Sequence, residues 1–124
     1  MNQKRPVNLD LTTMKFPAMA IASILHRLSG IALFLLMPFV LCVFSLSLKD
    51  EVSFFKAQQY LANPYAKLLF WLFAASLIYH LLAGIRHLIM DLGFGEEVKT
   101  SRLTAILVIG LSVILAIFLG IWIW

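Results

Sequence analysis

Two short clusters hold the side chains through which this chain could do chemistry. The first is Ser23, His26 and Arg27; the second is Ser76, His80, Gly84, His87 and Asp91. Both lie in apolar sequence, where every polar group calls for a reason: an arginine or lysine at mid-bilayer costs about 2.5–3.5 kcal/mol on insertion scales. On a helix, Ser23 and Arg27 share a face that Gly30 and Phe34 continue. A hydroxyl and a guanidinium converging at the hydrocarbon edge suit a ligand with an apolar tail and a carbonyl or carboxylate head, and a quinone fits that description. The same pair also suits an arginine that anchors topology beside a serine that packs. These residues alone leave both readings open.

In the second cluster, Gly84, His87 and Asp91 return to nearly the helical face of His80. That stripe presents an imidazole, then no side chain, then a second imidazole and a carboxylate. A neutral imidazole at His80, about two turns inward of Arg86 and His87, is at a sensible depth for an axial haem ligand, and Gly84 leaves room for the macrocycle. The propionates would then point to the membrane edge, where His26, Arg27, Arg86 and His87 can meet them. A buried histidine bonded to a neighbouring helix is the alternative. His80 and His87 lie roughly 10 Å apart along one face, so they cannot be the two axial ligands of one iron. His26, near the edge, is expected to be too shallow to oppose His80, so a six-coordinate haem takes its second ligand from another chain.

The elements that position these residues are membrane helices. Of 124 residues, 62% are hydrophobic and 13% charged, and the charges cluster. A soluble domain this small cannot hide so much apolar surface. The reading is an all-α membrane protein forming a single membrane-anchor domain over residues 1–124. It has a polar N-terminus over 1–15 and transmembrane helices over about 18–48, 66–91 and 103–124. The charge-free part of the first stretch, Leu28 to Leu48, is long enough to span a bilayer by itself, so that helix begins outside the hydrocarbon, and Pro38 predicts a kink. The connector holding Val52, Phe54, Phe55, Tyr60 and Leu61 suits a short amphipathic helix on the membrane surface. In the third span Ser112, Ala116 and Gly120 make a small-residue stripe for close packing, and Trp122 and Trp124 suit an interface.

Charge sets the orientation and removes several function classes. Lys4, Arg5, Lys15, Arg27, Arg86, Lys99 and Arg102 fall on one side, and Lys49, Lys56 and Lys67 on the other. The positive-inside rule puts the N-terminus in the cytoplasm and the C-terminus outside. The net charge of +4 therefore concerns topology and lipid headgroups, not nucleic acid. The single cysteine, Cys42, excludes an internal disulfide and a thiolate zinc site, and no Cys-x-x-Cys-His is present for covalent haem attachment. No phosphate loop, GxSxG or HExxH occurs, and no span contains paired carboxylates.

Two motifs carry a family resemblance. Arg5-Pro6, followed by Ser23-Ile24-Leu25-His26-Arg27-Leu28-Ser29-Gly30, resembles the first signature of the cytochrome b subunits of succinate dehydrogenase. The run from His80 to Gly93 is similar to the second, H-x3-G-x-R-H-x3-D-x-G, and "KRPVNLDL" and "AIASILHRLSG" resemble the bacterial form. The resemblance implies half of a heterodimeric helical bundle around one haem b, in the bacterial inner membrane with the C-terminus periplasmic. It implies as partners a flavoprotein, an iron–sulfur protein and a second small anchor that shares the haem. By the same resemblance His80 is an axial iron ligand, Ser23, Ile24 and Arg27 bind ubiquinone, and His26 and Arg27 lie near the propionates, with His87 left between propionate contact and a structural bond. The implied function is passage of electrons from succinate to quinone in the respiratory chain and tricarboxylic acid cycle, with no succinate chemistry in this chain. The alternatives are an anchor of the related quinol:fumarate reductases, or a non-redox membrane scaffold.

Overall fold

The computed structural model describes residues 17–124. The polar N-terminus expected over 1–15, with Lys4, Arg5 and Lys15, lies outside the described residues. Four helices follow in order: α1 (Ala18–Ser47), α2 (Glu51–Ala62), α3 (Pro64–Asp91) and α4 (Val98–Ile123). Among the described residues, α1, α3 and α4 are long and apolar enough to cross a membrane.

Local chemistry explains most helix ends. Pro17, extended, precedes α1, and Pro38 is carried inside it. Asp50 caps α2, its Oδ1 accepting from the Ser53 backbone N–H at 2.7 Å. Asn63 does the same for α3, accepting from the Tyr65 N–H at 2.9 Å, and Pro64 occupies the first turn, where its missing N–H is no loss. After Asp91 the chain turns through Gly93 (φ 90°) and Gly95 (φ 72°), a left-handed backbone that favours glycine. Helix α4 then begins at Val98, ahead of the 103 expected from hydropathy. A charge marks where hydrocarbon ends, not where a helix must; nothing between Gly95 and Leu103 breaks the helix, so Lys99 and Arg102 are helical.

Helix α3 is central, packed on α1 on one side and α4 on the other, while α2 rests against α1 and α3. The buried side chains are all small: Ala22, Ser29, Ser53, Ala57, Ala83, Ser101, Ala105 and Ser112. The large apolar ones face outward, Phe34 being 78% exposed and Phe118 66%. Water would not tolerate that distribution, whereas lipid gives helices little reason to bury leucine and leaves close backbone packing to small residues. Polar side chains then staple helix to helix. Tyr79 donates its hydroxyl to the Ala22 carbonyl at 2.7 Å, joining α3 to α1. Trp71 donates its indole N–H to the Ala116 carbonyl at 2.8 Å and lies against Gly120, so the small-residue stripe of α4 meets α3 there.

Candidate functional site

The described histidines form one stack between α1 and α3. The rings of His26 and His80 lie 4.2 Å apart, 19° from parallel, and those of His26 and His87 lie 6.1 Å apart, 15° from parallel. His80 and His87 are two turns apart on α3, and His26 reaches across from α1 into the interval. His26 is therefore level with His80, not too shallow to meet it. The reason is that Arg27 is exposed and its long side chain can reach the membrane edge, so it does not mark the depth of its own Cα. Two imidazoles that share an iron approach it nitrogen-first from opposite sides. These two rings meet face to face, so this pair does not form such a site.

The glycines explain how the rings come so close. A Cβ on Gly30 would lie 3.2 Å from Cε1 of His80, and one on Gly84 would lie 3.6 Å from Nε2 of His26. Each glycine of one helix admits the histidine of the other. Gly84, read from sequence as room for a macrocycle, has Nε2 of His26 beside it and also lines the open groove next to the histidines. The sequence does contain the signal, because His26-x3-Gly30 and His80-x3-Gly84 are the same pattern on antiparallel helices.

Around the stack runs an open groove of about 410 Å³, lined by His26, His80, Leu81, Gly84, Ile85, His87 and Leu88. Leu81, Ile85 and Leu88 are exposed on its apolar rim. Two ring nitrogens matter there. Nδ1 of His80 is within hydrogen-bonding distance of Ser29 Oγ (2.9 Å) and the His26 carbonyl (3.2 Å), while its Nε2 has no hydrogen bond among the described residues. Nε2 of His26 is buried with no hydrogen-bond partner among them, an arrangement that costs about 1–3 kcal/mol unless something fills it. A haem fits this groove through one imidazole nitrogen free to ligate and an apolar rim for the ring, while the orphaned nitrogen of His26 is covered beside Gly84.

Arg86 lies apart from this groove. Its Nε donates to Thr104 Oγ1 at 3.1 Å, and one Nη donates to the backbone oxygen and Oγ of Ser101, both at 3.0 Å. It ties α3 to α4. The guanidinium also borders a separate cavity of about 290 Å³ with Met19, Ser23, His87, Met90, Asp91, Glu96 and Ser101. Of the three residues assigned to a quinone, Ser23 lines that cavity, whereas Ile24 and Arg27 are exposed on the outer surface of α1. The structure does not gather the three into one enclosed pocket. Sequence reasoning missed Ser29, whose hydroxyl is buried among the histidines.

The profile of the family described as succinate dehydrogenase/fumarate reductase transmembrane subunit matches residues 1–119. The chain is 47% identical over 125 aligned positions, covering both chains fully, to the succinate dehydrogenase cytochrome b556 subunit of Coxiella burnetii. It is 34% identical over 116 positions to the same subunit of Rickettsia prowazekii, covering 94% of this chain and 90% of that one. The succinate dehydrogenase cytochrome b560 subunit of Reclinomonas americana is 34% identical over 122 positions, covering 90% of this chain and 81% of that one.

Proposed function

Because the chain belongs to the succinate dehydrogenase/fumarate reductase transmembrane subunit family, we propose that it binds one haem b jointly with a second small membrane anchor and forms part of a ubiquinone-reduction site. It is a membrane subunit of the oxidoreductase complex and takes no part in succinate chemistry. Its partners are the flavoprotein and iron–sulfur subunits and the second anchor. Its place is the bacterial inner membrane, with the N-terminus cytoplasmic and the C-terminus periplasmic.

The observation that carries this reading is the groove in which His80 keeps Nε2 free while Nδ1 is already hydrogen-bonded. His80 would ligate the iron through Nε2. His87, which lines the groove, and the exposed Arg27 would bind the propionates together with His26, whose covered Nε2 would turn outward from beside Gly84 to do so. Arg86, on α3 and bonded to Ser101 and Thr104 of α4, would contribute its charge from the far side of α3. When bound, haem b supplies a one-electron couple beside the quinone position. Ser23 donates a hydrogen bond to a quinone carbonyl, and Arg27 stabilises the negative charge that develops on its oxygens during reduction. Since Arg27 and Ile24 face outward, the partner subunits complete the wall of that site.

Visible absorption and quinone assays of the purified complex test both halves. A reducible b-type haem is expected, and His80→Ala should abolish its six-coordinate spectrum; an unchanged spectrum would sink the ligand assignment. Ser23→Ala and Arg27→Leu should lower quinone reduction by about 10²-fold or more, as removal of a charge-stabilising donor does elsewhere. Succinate oxidation by an artificial soluble acceptor should survive in both. Equal loss of both activities would point to failed assembly instead.

A further inference from the structure

Two hydrogen-bonding groups meet at Nδ1 of His80. Ser29 Oγ lies 2.9 Å from it and the His26 backbone oxygen 3.2 Å. Ser29 Oγ also lies 2.7 Å from that same carbonyl oxygen, to which it donates. A carbonyl oxygen only accepts, and a serine hydroxyl has one proton to give. With that proton on the His26 carbonyl, Ser29 faces the ring as an acceptor, so Nδ1 must carry the hydrogen. His80 is thereby held as the Nδ1–H tautomer, with the lone pair on Nε2. Ser29 is itself buried, and the bare Cα of Gly30 beside it lets the ring come within reach.

We propose that Ser29 is a positioning residue for the iron site: with the His26 carbonyl it holds His80 in the tautomer and rotation that iron binding needs, and it raises the donor strength of Nε2. The proposal rests on the reading of His80 as a haem ligand given above. An imidazole that donates its other N–H to an acceptor is a more basic ligand, and such outer partners change metal affinity by about 10–100-fold. A more basic ligand favours the ferric over the ferrous state. Removing the acceptor should therefore raise the midpoint potential.

The test uses the whole complex in mild detergent. In Ser29→Ala the His26 carbonyl still accepts from Nδ1, so the haem stays bound. The ferric-over-ferrous preference should fall up to about tenfold, which is an upward shift of about 59 mV for a one-electron couple. The electron paramagnetic resonance signal of the ferric haem should broaden as the ring gains rotational freedom. Ser29→Thr, which keeps the hydroxyl, should restore both. A wild-type potential and signal in Ser29→Ala would overturn the proposal, as would Ser29→Thr as altered as Ser29→Ala, because the role would then be packing. Should Ser29→Ala fail to accumulate, Ser29→Cys keeps the volume with a weaker acceptor and is judged by the same two outcomes. His80→Ala separates the levels: if it leaves the six-coordinate signal intact, the ligand reading itself fails, whereas its loss beside an unaffected Ser29→Ala defeats this inference alone.

Discussion

A methyl group on Gly30 would lie 3.2 Å from Cε1 of His80, and one on Gly84 would lie 3.6 Å from Nε2 of His26. The first is tighter than packed carbons accept, while the second is ordinary contact. Gly84→Ala should therefore be tolerated, gaining roughly 0.5–1 kcal/mol of helix stability from the added Cβ. Gly30→Ala has the same gain set against overpacking of about 1–3 kcal/mol, because the His80 ring must move or tilt. Thermal melting of the complex in detergent should rank Gly84→Ala at or above wild type and Gly30→Ala below it. An equal response at both positions would contradict this reading of the helix contact. The histidines, Ser23 and the arginines were legible in sequence because a polar residue inside an apolar span is conspicuous. Ser29 was not, because its importance comes from what crosses over from α3, and periodicity along one helix contains no information about the facing one. The depth of His26 is hidden from sequence for a related reason, since a flexible charged neighbour is a poor ruler.

Helix ends show the same division between what is local and what is not. Asp50 and Asn63-Pro64 are caps written into the chain, and both act where a cap would be expected. Asp50 also makes a prediction about pH. The hydrogen bond from the Ser53 backbone N–H, reinforced by the Ser53 side chain, lowers its carboxyl below the ordinary 3.8. A depressed carboxyl stabilises the fold fully above its unfolded value, and that contribution is lost as pH falls through the lower folded one. The first turn of α2 should hold above about pH 5 and fray below the usual carboxylate range. Amide exchange at Ser53 and Phe54 in the detergent-solubilised complex would report it, and Asp50→Asn, which caps without titrating, should remove the pH dependence. Protection that falls identically in Asp50→Asn would assign the change elsewhere. The start of α4 and its bond to Arg86 were not legible: hydropathy finds the hydrocarbon-crossing part of a helix, and Ser101 and Thr104 matter only because α3 presents a guanidinium to them.

The whole molecule has small residues inside and large apolar ones outside, so its three spans were legible from composition alone. What composition cannot contain is the identity of whatever lies on the histidine groove, because that surface is open and apolar on its rim. The proposed orientation makes a global prediction. A periplasm-dependent reporter such as alkaline phosphatase fused after Trp124 should be active, and one fused within the Gly93–Glu97 turn inactive; the reverse pattern would invert the topology. The crossed histidine–glycine pairs have a consequence for how such a chain can vary. Residue 30 serves residue 80 and residue 84 serves residue 26, so neither helix owns its own half of the stack. At position 30 even a methyl presses on His80, whereas at position 84 a methyl fits beside His26. A library varied at positions 30 and 84 with both histidines kept should therefore return alanine at 84 far more often than at 30.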